Sequence, residues 1–352
     1  MKILRLYTRL PPYPGGMEKH IAHLTEEQVN LGHDVTIYFN KGSKVTSKDI
    51  QVTKLPIYKL KPQFLGLFFF HALVFSRLFL KQEKFDIIHI HGDWSSLIFA
   101  RCIKKIVGAS KIIMSIHDEL SENFFSIKAL KFLLRPVDIL FASGYALESQ
   151  LRKITKNEVI VQPSGINKIF FEPQTRVFNT KPIQIIVTAN LVKKKNLGLV
   201  LDIAKHLSTI KFLVVGEGPQ KPYILRRILD EKIENVNMLG YKKPIDLRSL
   251  YYQSDIFLST SEKEGTPTAM IEAMACGLPI VTSQAGGVEA IVGKHNYVID
   301  KNETQYYVDC ILELFQKVNQ VEEISKLNIS ISKSFSWADI AKKIDNYILE
   351  EV

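Results

Sequence analysis

The stretch whose reading decides the fold runs from Asp255 to Glu289, DIFLSTSEKEGTPTAMIEAMACGLPIVTSQAGGVE. Ile256 to Ser259 reads as a short buried strand, and Thr260 to Gly265 as a polar loop carrying Glu262 and Glu264. A helix follows: Thr266 and Thr268 are capping residues, and Pro267 suits a first turn. Gly277 and Pro279 stop it. Ile280 to Thr282 makes a second strand, and Ala285-Gly286-Gly287 turns the chain into a helix from Val288. A strand–loop–helix–strand unit of this kind belongs to a doubly wound α/β sheet, in which ligands sit beyond the carboxyl ends of the strands. The helix N-terminus there offers unpaired backbone N–H groups to an anion. Glu264 and Glu272 stand eight positions apart, a little over two helical turns, which turns both toward one cleft. Taken alone, a pair at this spacing is more often an acid complementing the helix dipole and a solvated glutamate.

Outward from this unit the chain alternates strands and helices, the pattern of parallel sheets covered on both faces. KILRLY leads through TRLPPYPGG into a helix from about Met17 to Leu31, and Gly15-Gly16 at that junction let backbone N–H groups approach a phosphate. The strand DIIHIH, Asp86 to His91, places two histidines on one face. His91 stands at the carboxyl end, His89 one pleat inside as a core histidine, and the loop Gly92-Asp93-Trp94 follows. The strand Lys111 to Ile116 ends at His117. VIVQPSGIN, Val159 to Asn167, closes the first half, and the Pro-bounded segment Phe170 to Pro182 reads as a linker. Beyond it, the strand Ile183 to Ala189 enters a loop with Lys193, Lys194 and Lys195, and Phe212 to Val215 ends in Gly216-Glu217-Gly218. Val236 to Tyr241 reads as an edge strand. A last helix, Ser336 to Val352, carries Trp337, Ile340, Ile344, Tyr347 and Ile348 on one stripe.

With 352 residues, 46% of them hydrophobic, the chain is sized for two domains with ordinary cores. Its N-terminus does not read as a signal peptide, because Arg5 interrupts a short apolar run. Cys102, Cys276 and Cys310 lack metal-type spacing and read as reduced residues of a cytoplasmic protein. Phe64 to Leu80 is broken by His71 and Arg77, so it reads as a buried or interfacial helix rather than a membrane span. Of the formal charge of +10, all lies in residues 1–170, with 24 Lys/Arg against 14 Asp/Glu; the remainder holds 22 of each. That asymmetry points to an anionic partner. No nucleic-acid-binding motif is present, so an anionic membrane surface or a lipid diphosphate fits better, although solvation alone also accounts for a lysine-rich half.

The run EGTPTAMIEAMACGLPIV, followed by AGG and Glu289, resembles the signature of the retaining nucleotide-sugar glycosyltransferases of family four. The resemblance implies a GT-B fold: two Rossmann-like, doubly wound α/β domains facing a central cleft. Residues 1–168 would form the acceptor-side domain, joined by a crossover helix 338–352, and 169–337 the donor domain. It matches Gly15, Gly16 and Glu18 to a GG-x-E turn facing the donor diphosphate, with Glu18 near the cleft. It puts His91 and Asp93 on the acceptor side and His117, with Glu264, at the reacting sugar as the catalytic pair. Gly216 and Gly218 would underlie the nucleotide, with Leu239-Gly240-Tyr241 beside the base. Gly265, Thr266 and Thr268 would hold the diphosphate through the helix N-terminus, and Glu272 the ribose. The family clamps the diphosphate with an Arg and a Lys five positions later. Lys195 is kept, but Asn190 stands at the Arg position, a loss of about 1.5–3 kcal/mol unless Lys193 or Lys194 compensates or the donor differs. Ser164 and Asn167 replace a usual Asn and Asp.

The implied activity is transfer of a hexose, UDP-linked by preference and GDP-linked as the alternative, to a lipid-linked or polysaccharide acceptor in surface glycan biosynthesis. The enzyme would be cytoplasmic, peripheral on the membrane. No Asp-x-Asp clamp is present, and no metal or other cofactor is expected. Two unlike readings stand beside it: a GT-B epimerase altering a nucleotide sugar without an acceptor, and a non-catalytic binder, which Asn190 keeps open.

Overall fold

The computed structural model describes residues 1–12, 16–42, 50–61, 63–92, 94–117, 120, 124–172, 174 and 183–349; Gly15, Asp93 and most of the expected linker lie outside them. The chain forms two compact units, Met1–Ser164 with Ile340–Val352, and Gly165–Asp339. The second unit starts before residue 169 because Ile166 donates its N–H to Phe335 O at 3.0 Å and bridges Ser336, so the segment after Ser164 is already tied to the second unit.

The first unit is a seven-stranded parallel sheet of β1 (Lys2–Leu6), β2 (Asp34–Phe39), β3 (Gln51–Lys54), β4 (Ile87–His91), β5 (Lys111–Ile116), β6 (Ile139–Ala142) and β7 (Glu158–Val161), in the order β3-β2-β1-β4-β5-β6-β7. Its central strands are apolar runs because helices cover both faces. Leu4, Leu6, Ile88 and Ile90 pack against Phe70, Val74 and Leu78 on one side; Ile3, Val35 and Ile37 pack with Ile21 on the other. Each such side chain contributes about 1.5–3 kcal/mol on burial.

Arg5 interrupts the apolar face of β1 and is fully buried. Its guanidinium donates to Thr25 and Gln28 on the helix Gly16–Asn30, and burial pushes its pKa down to about 9. Gln28 Nε2 in turn donates to Asp345 Oδ1 at 3.0 Å, and His33 Nε2 lies 2.6 Å from the other oxygen. Asp345 belongs to the last helix, Trp337–Leu349, whose Ile344 and Ile348 are buried. A polar anchor inside an apolar stripe therefore holds the crossover helix to the first unit and fixes its rotation.

The segment Phe64 to Leu80 lies within one helix, Gln63–Lys81, and no described helix is long and apolar enough to cross a membrane. Phe70, Val74 and Leu78 are buried, whereas Phe68, Phe69, Phe79 and Leu80 are exposed, Leu80 to 80%.

The second unit is a six-stranded parallel sheet of β8 (Gln184–Thr188), β9 (Lys211–Val215), β10 (Val236–Gly240), β11 (Ile256–Ser259), β12 (Ile280–Ser283) and β13 (Tyr297–Ile299), in the order β10-β9-β8-β11-β12-β13. Counted within the unit this is 3-2-1-4-5-6, the Rossmann order, which reverses between β8 and β11.

Asp345→Ala strips the acceptor from Gln28 and His33 together, and unfolding in urea is expected to show a loss of about 2–4 kcal/mol, with Asp345→Asn losing less.

Candidate functional site

The crevice beyond β8 and β11 is a cavity of about 250 Å³. Of the residues singled out in sequence, Asn190, Lys195, Gly216, Glu264, Thr266 and Thr268 line it; Gly218, Gly265 and Glu272 do not. The glycine pair after β9 is there for backbone approach. Gly216 has φ +140°, and a Cβ on it would meet Ala189 O at 1.9 Å; one on Gly218 would meet Leu191 O at 2.5 Å. Without side chains the two strand-end loops run side by side, joined by Ala189 N–H to Val215 O at 3.1 Å and Leu191 N–H to Glu217 O at 3.0 Å. Gly216 thus forms the wall, and Gly218 braces it from behind.

Lys193–Lys195 is a single tight turn. The loop after β11 is stitched to it: Thr260 Oγ1 donates to Lys195 O and Asn196 O at 3.1 and 3.0 Å, and Glu262 N–H donates to Lys194 O at 2.9 Å. These contacts bring the Lys195 ammonium to 2.5 Å from Glu264 Oε1, with only 18% and 11% of the two side chains exposed. Lys193 and Lys194 are exposed and do not line the cavity. Lys242 does lie on the wall, beside Tyr241. Sequence reasoning passed over it, although a lysine just past the carboxyl end of a parallel strand stands where ligands bind.

The helix of the central stretch begins at Thr268, not Thr266. Pro267 takes the cap position with ψ 66° and offers no capping side chain, and its carbonyl accepts from the N–H groups of Met270 and Ile271 at 3.0 and 3.1 Å. The expected threonine cap is therefore corrected. Glu264 lies before the helix, as expected, but with the start at Thr268 it is four residues away, and helical periodicity does not relate it to Glu272. Glu272 instead faces Tyr251, whose hydroxyl is 3.5 Å away. Burial, then the Glu272 charge, pushes that buried phenol well above its ordinary pKa. Glu264 is placed by the Gly-Gly turn after β12. Gly286 has φ +64°, and a Cβ there would sit 2.1 Å from Glu264 O, while Ser283 Oγ holds Ser261 O at 2.5 Å.

The first unit gathers histidines at the matching end of its own sheet, where the order reverses between β1 and β4. His91 ends β4, His117 follows β5, and His20, not foreseen in sequence, comes from the helix Gly16–Asn30. The His20 ring centroid lies 4.5 Å from that of His117 and 6.0 Å from that of His91. His91 is fully buried rather than open to an acceptor, and its ring lies 4.0 Å from His89, which bonds Ser115 Oγ at 2.8 Å. Burial lowers the pKa of His20, His89 and His91 well below the ordinary value and that of His117 to about 4, so all four rings are neutral near pH 7. Ser164 Oγ lies 3.0 Å from His20 Nδ1, and Asn167 caps a short turn by accepting from Ile169 N–H, so both departures from the family pattern have structural work. Glu18 is buried against Arg9 Nε at 3.0 Å, with Tyr7 Oη at 3.4 Å. Gly16 opens its helix with clear space around it.

Two family models match the chain back to back: Glycosyltransferase Family 4 over residues 14–168 and Glycosyl transferases group 1 over residues 168–330. The chain is a family-four glycosyltransferase. Among curated relatives, this glycosyltransferase is similar to the phosphatidylinositol N-acetylglucosaminyltransferase GPI3 subunit of Saccharomyces cerevisiae, 25% identical over 94% of this chain and 79% of the relative. It is also similar to the alpha-monoglucosyldiacylglycerol synthase of Acholeplasma laidlawii, 24% identical over 96% and 94%. Among solved structures, sucrose-phosphate synthase from Thermosynechococcus elongatus superposes with TM-score 0.81 at 16% identity, covering 99% of this chain and 98% of that one. Anabaena HepE in complex with UDP superposes with TM-score 0.78 at 18% identity over 99% and 100%. These likenesses establish the GT-B fold, two parallel-sheet α/β domains.

Gly286→Ala forces a side chain onto the Glu264 carbonyl in a left-handed turn. It is expected to cost about 1–3 kcal/mol in urea unfolding and to lower transferase turnover, because Glu264 shifts with the turn.

Proposed function

We propose that this glycosyltransferase moves a hexose, with retention, from a UDP-sugar to a lipid-linked acceptor at the cytoplasmic face of a membrane, without a metal. The observation that carries the reading is the Lys195–Glu264 pair on the wall of the cavity where the sheet order reverses. Cleaving a sugar–diphosphate bond leaves negative charge on the nucleotide, and cations and helix N-termini fixed in advance stabilise that charge as it develops. Lys195, Lys242 and the helix N-terminus at Thr268 supply them. In the resting enzyme Glu264 occupies the Lys195 ammonium. A bound diphosphate takes the lysine over, and the freed carboxylate steadies an oxocarbenium-like sugar. Glu272, anchored by Tyr251, is assigned to the ribose. The first unit, with Gly16, Glu18 and His117, is assigned the acceptor side and the sugar hydroxyls; the buried His91 is not.

A UDP donor is supported by the HepE complex with UDP, with GDP the alternative, and a lipid acceptor by the lipids in the names of both relatives. Membrane contact is supported by the helix Gln63–Lys81, whose exposed Phe68, Phe69, Phe79 and Leu80 stand with the exposed bases Lys59, Lys61, Arg77 and Lys81. Three unpaired cysteines fit the cytoplasmic side.

Transfer and UDP binding separate the roles. Glu264→Gln is expected to lower turnover about 10²–10³-fold while UDP binds as well or better, because the lysine is released. Lys195→Ala is expected to weaken UDP binding about 10–100-fold and to lower transfer with it. EDTA does not lower the rate. Undiminished transfer in both variants overturns the assignment, and a nucleotide sugar altered without acceptor marks an epimerase instead.

Co-sedimentation with vesicles is expected to need anionic lipid, to weaken with salt, and to fall in Phe79→Asp and Leu80→Asp. Binding indifferent to lipid charge and to both substitutions removes the membrane contact.

A further inference from the structure

We propose that His20, His91 and His117 form a site for one divalent transition-metal ion, zinc by preference. Each ring offers one ligand nitrogen, and among the described residues these three nitrogens all lie within 4.8 Å of one another. The second, independent observation is His91. It is fully buried, and neither of its ring nitrogens has a hydrogen-bond partner. A buried imidazole with both nitrogens unsatisfied is costly to keep, and a bound ion would satisfy one of them.

The surroundings favour coordination over chance proximity. The three histidines come from a helix and two strand ends of one sheet, so their backbones are fixed by the fold. The neutral rings described above carry the lone pairs a metal needs. Ser164 Oγ, 3.0 Å from His20 Nδ1, can accept that N–H and so leave Nε2 as the ligand, the outer-partner arrangement usual for metal-bound histidine. His89 is engaged by Ser115 and lies toward Arg5 Nη2 at 3.5 Å, and it backs His91 without competing for the ion.

Three imidazoles suit zinc, cobalt, nickel or copper; magnesium and calcium require oxygen ligands that this cluster lacks. Ligand nitrogens about 2.0–2.1 Å from a tetrahedral zinc lie about 3.3 Å apart, so each ring moves inward by less than about 1 Å, and a fourth position stays open. The buried Arg5 guanidinium, balanced in part by Asp345, is an opposing charge that moderates affinity without touching the three ligands. The ion has no step in transfer: it takes the His117 ring that the proposed function assigns to the sugar, so ion and sugar compete for that histidine. Its binding is measured directly, so its failure and that of the transfer reading are separable.

The test uses the full chain, stripped with chelator and titrated with Zn2+ by calorimetry and with Co2+ by visible absorption. One ion per chain is expected, with the intense bands of low-coordinate cobalt. His91→Ala is expected to weaken zinc by at least about 100-fold and Ser164→Ala by about 10–100-fold, while His206→Gln, at an exposed histidine, leaves it unchanged. Pale octahedral cobalt, absent binding, or equal affinity in wild type and His91→Ala overturns the site. If His91→Ala does not fold, His20→Gln and the wild-type cobalt spectrum decide by the same criteria.

Discussion

An all-parallel sheet cannot close its own crevice where the strand order reverses. At β8 and β11 the chain leaves neighbouring strands in opposite directions, and no connection covers the gap between the departing loops. The rest of the second unit is arranged around this constraint. Gly216 and Gly218 let one wall approach the backbone of the other, Thr260 and Glu262 tie the lysine turn to the glutamate loop, and the Gly286 turn braces that loop from outside. Lys195 and Glu264 meet because their loops are fastened on both sides.

The ion pair gives the site a resting state. With little of either side chain exposed, each charge has lost part of its hydration and leans on the other. Under the proposed function a diphosphate, with more charge than a carboxylate, displaces it, and donor binding and release of Glu264 are one event. Of the three consecutive lysines only Lys195 lines the cavity, because side chains on a tight turn diverge, and a second cation, Lys242, reaches the wall from another loop.

The first unit solves a different problem. Arg5, Gln28, His33 and Asp345 form a buried polar chain that orients the crossover helix, and Arg5 also borders the histidines at the carboxyl end of the same sheet. Apolar burial alone would hold that helix at many rotations; the polar chain selects one. The exposed phenylalanines of the helix Gln63–Lys81 follow the same sequence as its buried face, because a helix this uniformly apolar cannot hide every side against a single sheet.

The amino-acid sequence by itself determined the alternation of strands and helices, the two parallel sheets, the family, and the presence of Lys195, Glu264 and the glycine turns, since these are local patterns of burial and backbone freedom. Helix ends were less legible: the helix starts at Thr268 with Pro267 at its cap, so Glu264, already expected just before the helix, stands a further two residues from it. Tertiary structure alone decided which lysine meets the cavity, that Glu272 rests on Tyr251 from a distant helix, and that His20 joins His91 and His117. Those contacts join residues far apart in the chain, and only the order of strands in a sheet brings them together.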